Sequence, residues 1–504
     1  MSDASNSQPN GGKILIPFRK KKTPVYYMRK GCQILNETGT HLRDYQKEGV
    51  RWMIQREMTK SLKGGFLCDE MGLGKTVQVI ALIVSRPVKN KTLIVLPSSV
   101  LIQWEKEIYK FAPVLNVLVH HGRGRMWNLD DNRFKEADVV LTTYGLTFNT
   151  VSYKSTILHK HKWGRIVLDE CHLIRNPRSG RFKGCDALKS NIKWGLTGTP
   201  IQNYLRDFYT LFQFLGIQKS LNNSEEQIDM IRRKYIKRRT KYSLEKKNNE
   251  LKLPELIIEN MEIPFISPQE EKLYTKIKEN ELRSYREFGE FENNAHAFTI
   301  LLRLKQVSIH PQIVIEGYKK KYERDFKDWI SPSSKIYYIV SQIEKEKEKT
   351  IIFCSFTKEI DIFENELASK GFRTERITGA ISPINRNAIL ERSAEIDVLL
   401  VNINAGGIGL NMTHFSRVFI TSPSWNPCSD AQAIARSHRI GQNKPVKVTY
   451  VILVSDKIST IDQNILAIQE KKKIMISKAL DDEHCFKEMK NVSLTQRDFK
   501  RLFK

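Results

Sequence analysis

Asp69-Glu70-Met71-Gly72-Leu73-Gly74-Lys75-Thr76 contains the residue types that bind a polyphosphate. Glycines let backbone N–H groups turn toward anionic oxygens, and a helix starting at once adds the positive end of its dipole. In such a loop Lys75 reaches the β- and γ-phosphates and the Thr76 hydroxyl ligates Mg²⁺. The generic pattern G-x-x-x-x-G-K-S/T has a first glycine where this chain has Asp69, so a second motif is needed. Asp169-Glu170-Cys171-His172 supplies one. Asp169 suits an Mg²⁺ held through water, and Glu170 suits a base that orients and deprotonates an attacking water. Alone, the first motif also fits a turn before a helix and the second a solvated strand end. In this order they point to a nucleotide site.

The elements around these residues must position them. Gly64 to Cys68 reads as an apolar strand, Val77 to Ser85 as a helix, and Ile166-Val167-Leu168 as a strand ending at the carboxylates. The carboxyl ends of parallel strands are where open α/β sheets bind ligands. Leu42 to Met53 reads as a helix whose Gln46 could read an adenine edge through its planar amide. Strands at Thr92 to Leu96 and Val139 to Leu141 alternate with an amphipathic helix at Leu101 to Phe111, which carries Trp104. Thr142-Thr143-Tyr144 and Thr197-Gly198-Thr199-Pro200 are further polar strand ends. Such alternation predicts a parallel, doubly wound sheet.

From 217 to 333 charge dominates, with helices predicted at Ser224 to Lys241, Pro268 to Glu287 and Ala295 to Ser308. The apolar repeat Phe298, Leu301, Leu302, Leu304, Val307 marks a largely helical insertion between two sheets rather than a solvated linker. A second α/β unit follows. Its strands are predicted at Thr350 to Phe353, Asp397 to Asn402, Arg417 to Ile420 and Val446 to Val454, with the glycine-rich stretch Asn404 to Asn411 after the second. A helix is predicted over Asp430 to Ile440; it carries Gln432, Arg436 and Arg439, and residues three apart share a face. The expected division is a basic tail at 1–40, a first lobe at 41–216, the insertion at 217–333, a second lobe at 334–460 and a basic tail at 461–504.

Lys and Arg number 83 against 56 Asp and Glu, a net charge of +27 in 504 residues. That balance, with a pI near 9.6, suits a nucleic-acid partner. The Arg19-Lys20-Lys21-Lys22 cluster fits a nuclear import signal, a nucleic-acid contact or a solvated segment. No C-x-x-C pair occurs among the seven cysteines, which argues against a zinc-binding insert and for a reducing compartment. Neither a signal peptide nor a membrane span is legible.

Taken together, the chain resembles the superfamily 2 helicase-like ATPases, and within them the Swi/Snf-type DNA translocases. The likeness runs from about Leu42 to Val454 and rests on Asp69 to Thr76, Asp169 to His172, Leu196 to Asn203, Asn404 to Asn411 and Gln432 to Gln442. Arg238-Arg239-Thr240-Lys241, Leu253-Pro254, Arg303 to Gln306 and His310-Pro311 are particular to the Swi/Snf branch. The compact length is similar to that of the baculovirus global transactivators. The resemblance implies an α/β fold of two RecA-like parallel-sheet lobes, with ATP and Mg²⁺ between them. Gln46, Asp69 to Thr76, Asp169 and Glu170 would come from the first lobe; Gln432 and the arginine fingers Arg436 and Arg439 would come from the second. It also implies sequence-nonspecific contact with duplex DNA through Thr142, Thr143, Asn404, Gly406, Gly407 and Trp425, chromatin or transcription proteins as partners, and a nuclear location. Three departures stand out. Cys171 replaces a small residue, Ser424 an aromatic and Ala435 a glycine, and none removes a catalytic group.

Overall fold

A computed structural model describes residues 23–122, 125, 128–148, 156–198, 206–217, 225–248, 251, 253–287, 294–406 and 410–480. The Arg19–Lys22 cluster, Thr199, Pro200 and Gly407 lie outside the described residues.

Two parallel sheets organise the chain. The first runs in the order Val117–His120, Val139–Thr143, Thr92–Leu96, Arg165–Asp169, Ile192–Leu196, Lys63–Leu67, Ile236–Lys237. The second runs Leu256–Pro264, Val446–Val454, Arg417–Ile420, Thr350–Cys354, Val398–Asn402, Thr374–Ile377. Strands such as Thr92–Leu96 and Thr350–Cys354 are buried at every position, because helices cover both faces of a parallel sheet. Successive side chains alternate between faces. Phe66 and Cys68 enter one core of the first lobe and Leu67 the other; Ile351 and Phe353 part from Ile352 and Cys354 in the second. Register brings the site together: Leu196 pairs with both Leu67 and Asp169, so three carboxyl strand ends are neighbours.

The structure departs from the sequence expectations in four places. Residues 24–37, read as tail, form a helix (Pro24–Glu37) with Thr23 capping the Tyr26 N–H and Pro24 at its start. Leu35 is fully buried, and Gly31 lets this helix press onto the Lys75–Ser85 helix, since a Cβ there would meet Ser85 Oγ at 1.8 Å. The stretch from 217 to 333 is largely helical, as expected, but carries two strands where none was predicted. Ile236–Lys237 joins the edge of the first sheet beside Phe66–Leu67, and Leu256–Pro264 pairs with the whole of Val446–Val454 on the edge of the second. Half-exposed edge strands need no clean apolar pattern, which is why charge hid them. Residues 461–480, read as the start of a tail that is helical or frayed from Lys471, form a helix (Ile461–Leu480) that packs: Ile461, Ile465 and Ile468 complete the insertion core with Tyr274, Ile300, Leu304 and Val307. The predicted helix over Asp430 to Ile440 runs instead from Pro427 to Ser437.

Candidate nucleotide site

The loop after Lys63–Leu67 turns on Gly72 (φ 90°) and Gly74 (φ 75°), conformations that glycine adopts without strain. The Lys75–Ser85 helix begins directly behind, so its free N–H groups face the loop's concavity. The Lys75 ammonium donates to the Asp69 carbonyl at 2.8 Å. Thr76 is half-buried at the first turn. Leu73 is buried against Tyr45, Leu244 and Leu251, and its carbonyl accepts from Tyr45 Oη (3.1 Å) and Gln46 Nε2 (3.2 Å). Gln46 Oε1 accepts the Arg43 N–H at 3.0 Å, so both ends of this amide are engaged beside the loop. Met71 is buried and packs on Gly198.

Asp69, at the position of the generic first glycine, is fully buried. Its carboxylate accepts from Arg239 Nε (2.9 Å) and Nη2 (2.5 Å) and from Gln78 Nε2 (3.0 Å). Those bonds hold the side chain behind the loop and leave its backbone to the loop's inner surface. Glu70 accepts the Lys241 N–H through Oε2 at 2.8 Å, and its own N–H donates to the Arg239 carbonyl at 2.8 Å.

Asp169 ends its strand under two aromatic donors. Trp104 Nε1 donates to Oδ2 at 2.8 Å, and Tyr144 Oη donates to the Asp169 carbonyl at 2.6 Å. Glu170 follows in a left-handed conformation, φ 49° and ψ 50°. His172 Nδ1 lies 3.2 Å from Glu170 Oε2 and 3.1 Å from Thr197 Oγ1. Burial, then the adjacent Glu170 charge, push Asp169 up to about 6. Burial would raise Glu170 as well, but His172, Lys75 and Arg436 outweigh it and hold this carboxylate below its ordinary range. The two carboxylates are thus pushed apart by their surroundings.

The second lobe contributes through the Pro427–Ser437 helix, capped by the Asn426 side chain, which accepts from the Cys428 N–H at 3.1 Å. Gln432 is half-buried one turn before Arg436. Arg436 comes within electrostatic reach of Glu170: burial lowers the guanidinium to about 10, and the Glu170 charge opposes that fall. The shared helix face predicted for Arg436 and Arg439 is corrected here. The helix ends at Ser437, His438 takes φ −89° and ψ 80°, and Arg439 lies in the turn beyond. That turn still carries Arg439 to the first lobe, where a Cβ added to Gly72 would meet Arg439 Cβ at 3.4 Å. Burial lowers Arg439, and Glu107 of the first lobe counters it.

The residues predicted to touch DNA are scattered in their exposure. Thr142 is fully buried with Oγ1 donating to the His120 carbonyl at 3.2 Å, and Thr143 is buried beside it. Asn404 is exposed in a short helix ending at Gly406. Trp425 packs on the insertion core with Lys472 Nζ 5.2 Å above its ring. Sequence reasoning passed over Trp104, Tyr144, Arg239 and Lys241 as members of the site. A buried Trp or Tyr does need a partner for its polar tip, but nothing in the sequence names that partner.

Known proteins resemble this chain over most of its length. A family model described as SNF2-related domain matches residues 45–313, and one described as helicase conserved C-terminal domain matches residues 334–441. An "Uncharacterized ATP-dependent helicase MG018" from Mycoplasma genitalium is 30% identical over 93% of this chain and 44% of its own length. The chain therefore spans less than half of that relative. A "Probable global transactivator" of Orgyia pseudotsugata multicapsid polyhedrosis virus is 29% identical over 92% of this chain and 94% of its own length. A solved Sulfolobus solfataricus SWI2/SNF2 ATPase core in complex with dsDNA is 28% identical, covering 90% of this chain and 98% of that one. Its TM-score of 0.39 is too low for the superposition to bear on the fold. With more than half of its length matched by the SNF2-related domain and the helicase C-terminal domain following in order, the chain belongs to the SNF2-related family of helicase-like proteins.

Proposed function

We propose that this chain is an ATP hydrolase of the helicase-like type, which uses cycles of ATP binding and hydrolysis to move along duplex DNA and to remodel or displace proteins bound there, in the service of transcription. The observation that carries the reading is the meeting of the lobes: Arg439 against Gly72, with Arg436 within electrostatic reach of Glu170. Lys75 and the loop N–H groups bind the phosphates. Glu170, kept ionised by its neighbours, takes the proton of the attacking water. Arg436 and Arg439 compensate charge that develops on the transferred phosphoryl group, and fingers of this kind are worth roughly 10³–10⁵ in rate.

Thr76 and Asp169 are hard oxygen donors that fit Mg²⁺. The ion would draw charge from the β- and γ-phosphate oxygens. DNA as the partner rests on the +27 charge and on the family. Regulation of transcription rests on the name of the baculovirus relative, and a nuclear location on the family and the basic clusters.

The deciding measurement is phosphate release with single-stranded DNA, duplex DNA, RNA and chromatin. Stimulation by duplex DNA with no release of a labelled strand from a fork is expected. Strand release would move the reading to a separating helicase, and no stimulation by any nucleic acid would overturn it.

A further inference from the structure

Arg238 to Lys241 carries the sequence motif that the site's chemistry leaves unused, and it occupies the space between the lobes. The segment leaves the first sheet through Ile236–Lys237, which pairs with the strand feeding the P-loop. Arg238 Nη1 donates to the carbonyls of Cys68 (3.0 Å) and Gly198 (3.1 Å), one at the start of the P-loop and one in the neighbouring strand end. Arg239 holds the buried Asp69 with two N–H groups, donates to Gln78 Oε1 at 2.9 Å and bonds the Tyr45 carbonyl. Its backbone carbonyl takes the Glu70 N–H, and the next backbone but one returns an N–H to the Glu70 carboxylate. Leu244 and Leu251 seal the outside of the loop at Leu73.

Lys241 then crosses to the second lobe. Its Nζ donates to the His438 carbonyl at 2.7 Å, and His438 Nε2 lies 2.8 Å from the Pro254 carbonyl. His438 directly precedes Arg439. One short segment of the insertion thus grips the P-loop by Asp69 and Glu70 and grips the turn that bears an arginine finger by its backbone. The lysine stem also passes Gly72, where a Cβ would meet Lys241 Cε at 3.6 Å.

We propose that Arg239 and Lys241 are positioning residues for ATP turnover, forming a strap that fixes the P-loop and sets the Arg439 turn against it. The proposal deepens the reading above and rests on it for the turnover measurement. The Asp69–Arg239 pair explains why this loop has a carboxylate where a glycine is usual: the position is an anchor point for the strap. Bidentate capture of a buried carboxylate is geometry that arginine supplies and lysine does not. Misplacing a reacting group by about 1 Å can cost roughly 10² in rate, so a strap of this kind acts on kcat.

The test uses the full chain with Lys241→Met, Lys241→Arg and Arg239→Lys, each checked for native circular dichroism. Lys241→Met is expected to lower kcat about 10²-fold while affinity for a fluorescent ATP analogue stays near that of the parent protein, because its P-loop anchor remains. Lys241→Arg, which keeps a donor for the His438 carbonyl, is expected to recover most of the loss. A purely structural role would not split kcat from binding in this way. Arg239→Lys is expected to raise amide hydrogen exchange across residues 68–76 without nucleotide. Unchanged kcat in Lys241→Met, or unchanged exchange in Arg239→Lys, overturns the strap. If the parent protein itself turns over no ATP while exchange rises in Arg239→Lys, the hydrolase reading fails and the anchor at Asp69 stands.

Discussion

Glu170 holds a left-handed backbone at the end of a strand, a conformation that costs a non-glycine residue roughly 1–2 kcal/mol. The surrounding contacts hold it there, with its carboxylate between His172, Lys75 and Arg436. Strain of this kind belongs where a side chain must be aimed. Glu170→Gln should therefore keep the fold and nucleotide affinity and lose phosphate release almost entirely. Arg436→Ala should cost roughly 10³–10⁵ in kcat, measured with saturating ATP and duplex DNA. Retention of more than a tenth of the parent rate in Arg436→Ala would leave the finger assignment without support. The lysine and the carboxylates stand out in the sequence as a pair of motifs, since neither spacing decides alone. The partner of Asp69 does not, because Arg239 lies 170 residues further along and nothing local links them.

Elements fail or hold through contacts of the same distant kind. The Asp44–Met58 helix is tied to the first sheet by Glu57, which accepts from Arg165 Nε (2.6 Å), Trp194 Nε1 (3.0 Å) and Arg86 Nη1 (2.6 Å). Burial opposes the charge on Glu57, but Arg165 and its neighbours win, and its pKa falls below the ordinary 4.5. A depressed carboxylate contributes its stability in full above the unfolded value and loses it as pH falls through the folded value. Glu57→Gln should thus destabilise by about 3–5 kcal/mol at neutral pH, with the deficit shrinking below about pH 4.5 in denaturant titrations. The Pro24–Glu37 helix is the second case. Leu35→Ala should cost about 2–5 kcal/mol and lower the melting temperature, since Leu35 is wholly enclosed. An unchanged melting temperature would return residues 24–37 to the tail that the polar N-terminal sequence suggested.

At the scale of the molecule, an insertion joins two sheets and also lends each an edge strand. The segment that grips the P-loop therefore lies in the connection between the two sheets. The positive charge acts at this scale too. Neutralising several phosphates releases counterions, so affinity for duplex DNA should fall linearly in a log–log plot against salt, with the slope counting the contacts. Lys75→Ala should leave that slope unchanged and abolish turnover, which separates the polyanion surface from the hydrolytic site. A shallower slope in the variant would place Lys75 on the DNA path.

The chain's own order of residues determined the P-loop, the carboxylate pair and the parallel strands, because each is written in spacings of a few residues. Helix ends, edge strands and the role of the charged middle were left to the tertiary structure. The His438 backbone ended a helix that periodicity carried on to Ile440, and partly exposed strands such as Leu256–Pro264 lack the apolar signature of buried ones. Above all, only folding could pair Asp69 with Arg239, because burying a carboxylate is tolerable only beside a cation that the linear sequence keeps far away.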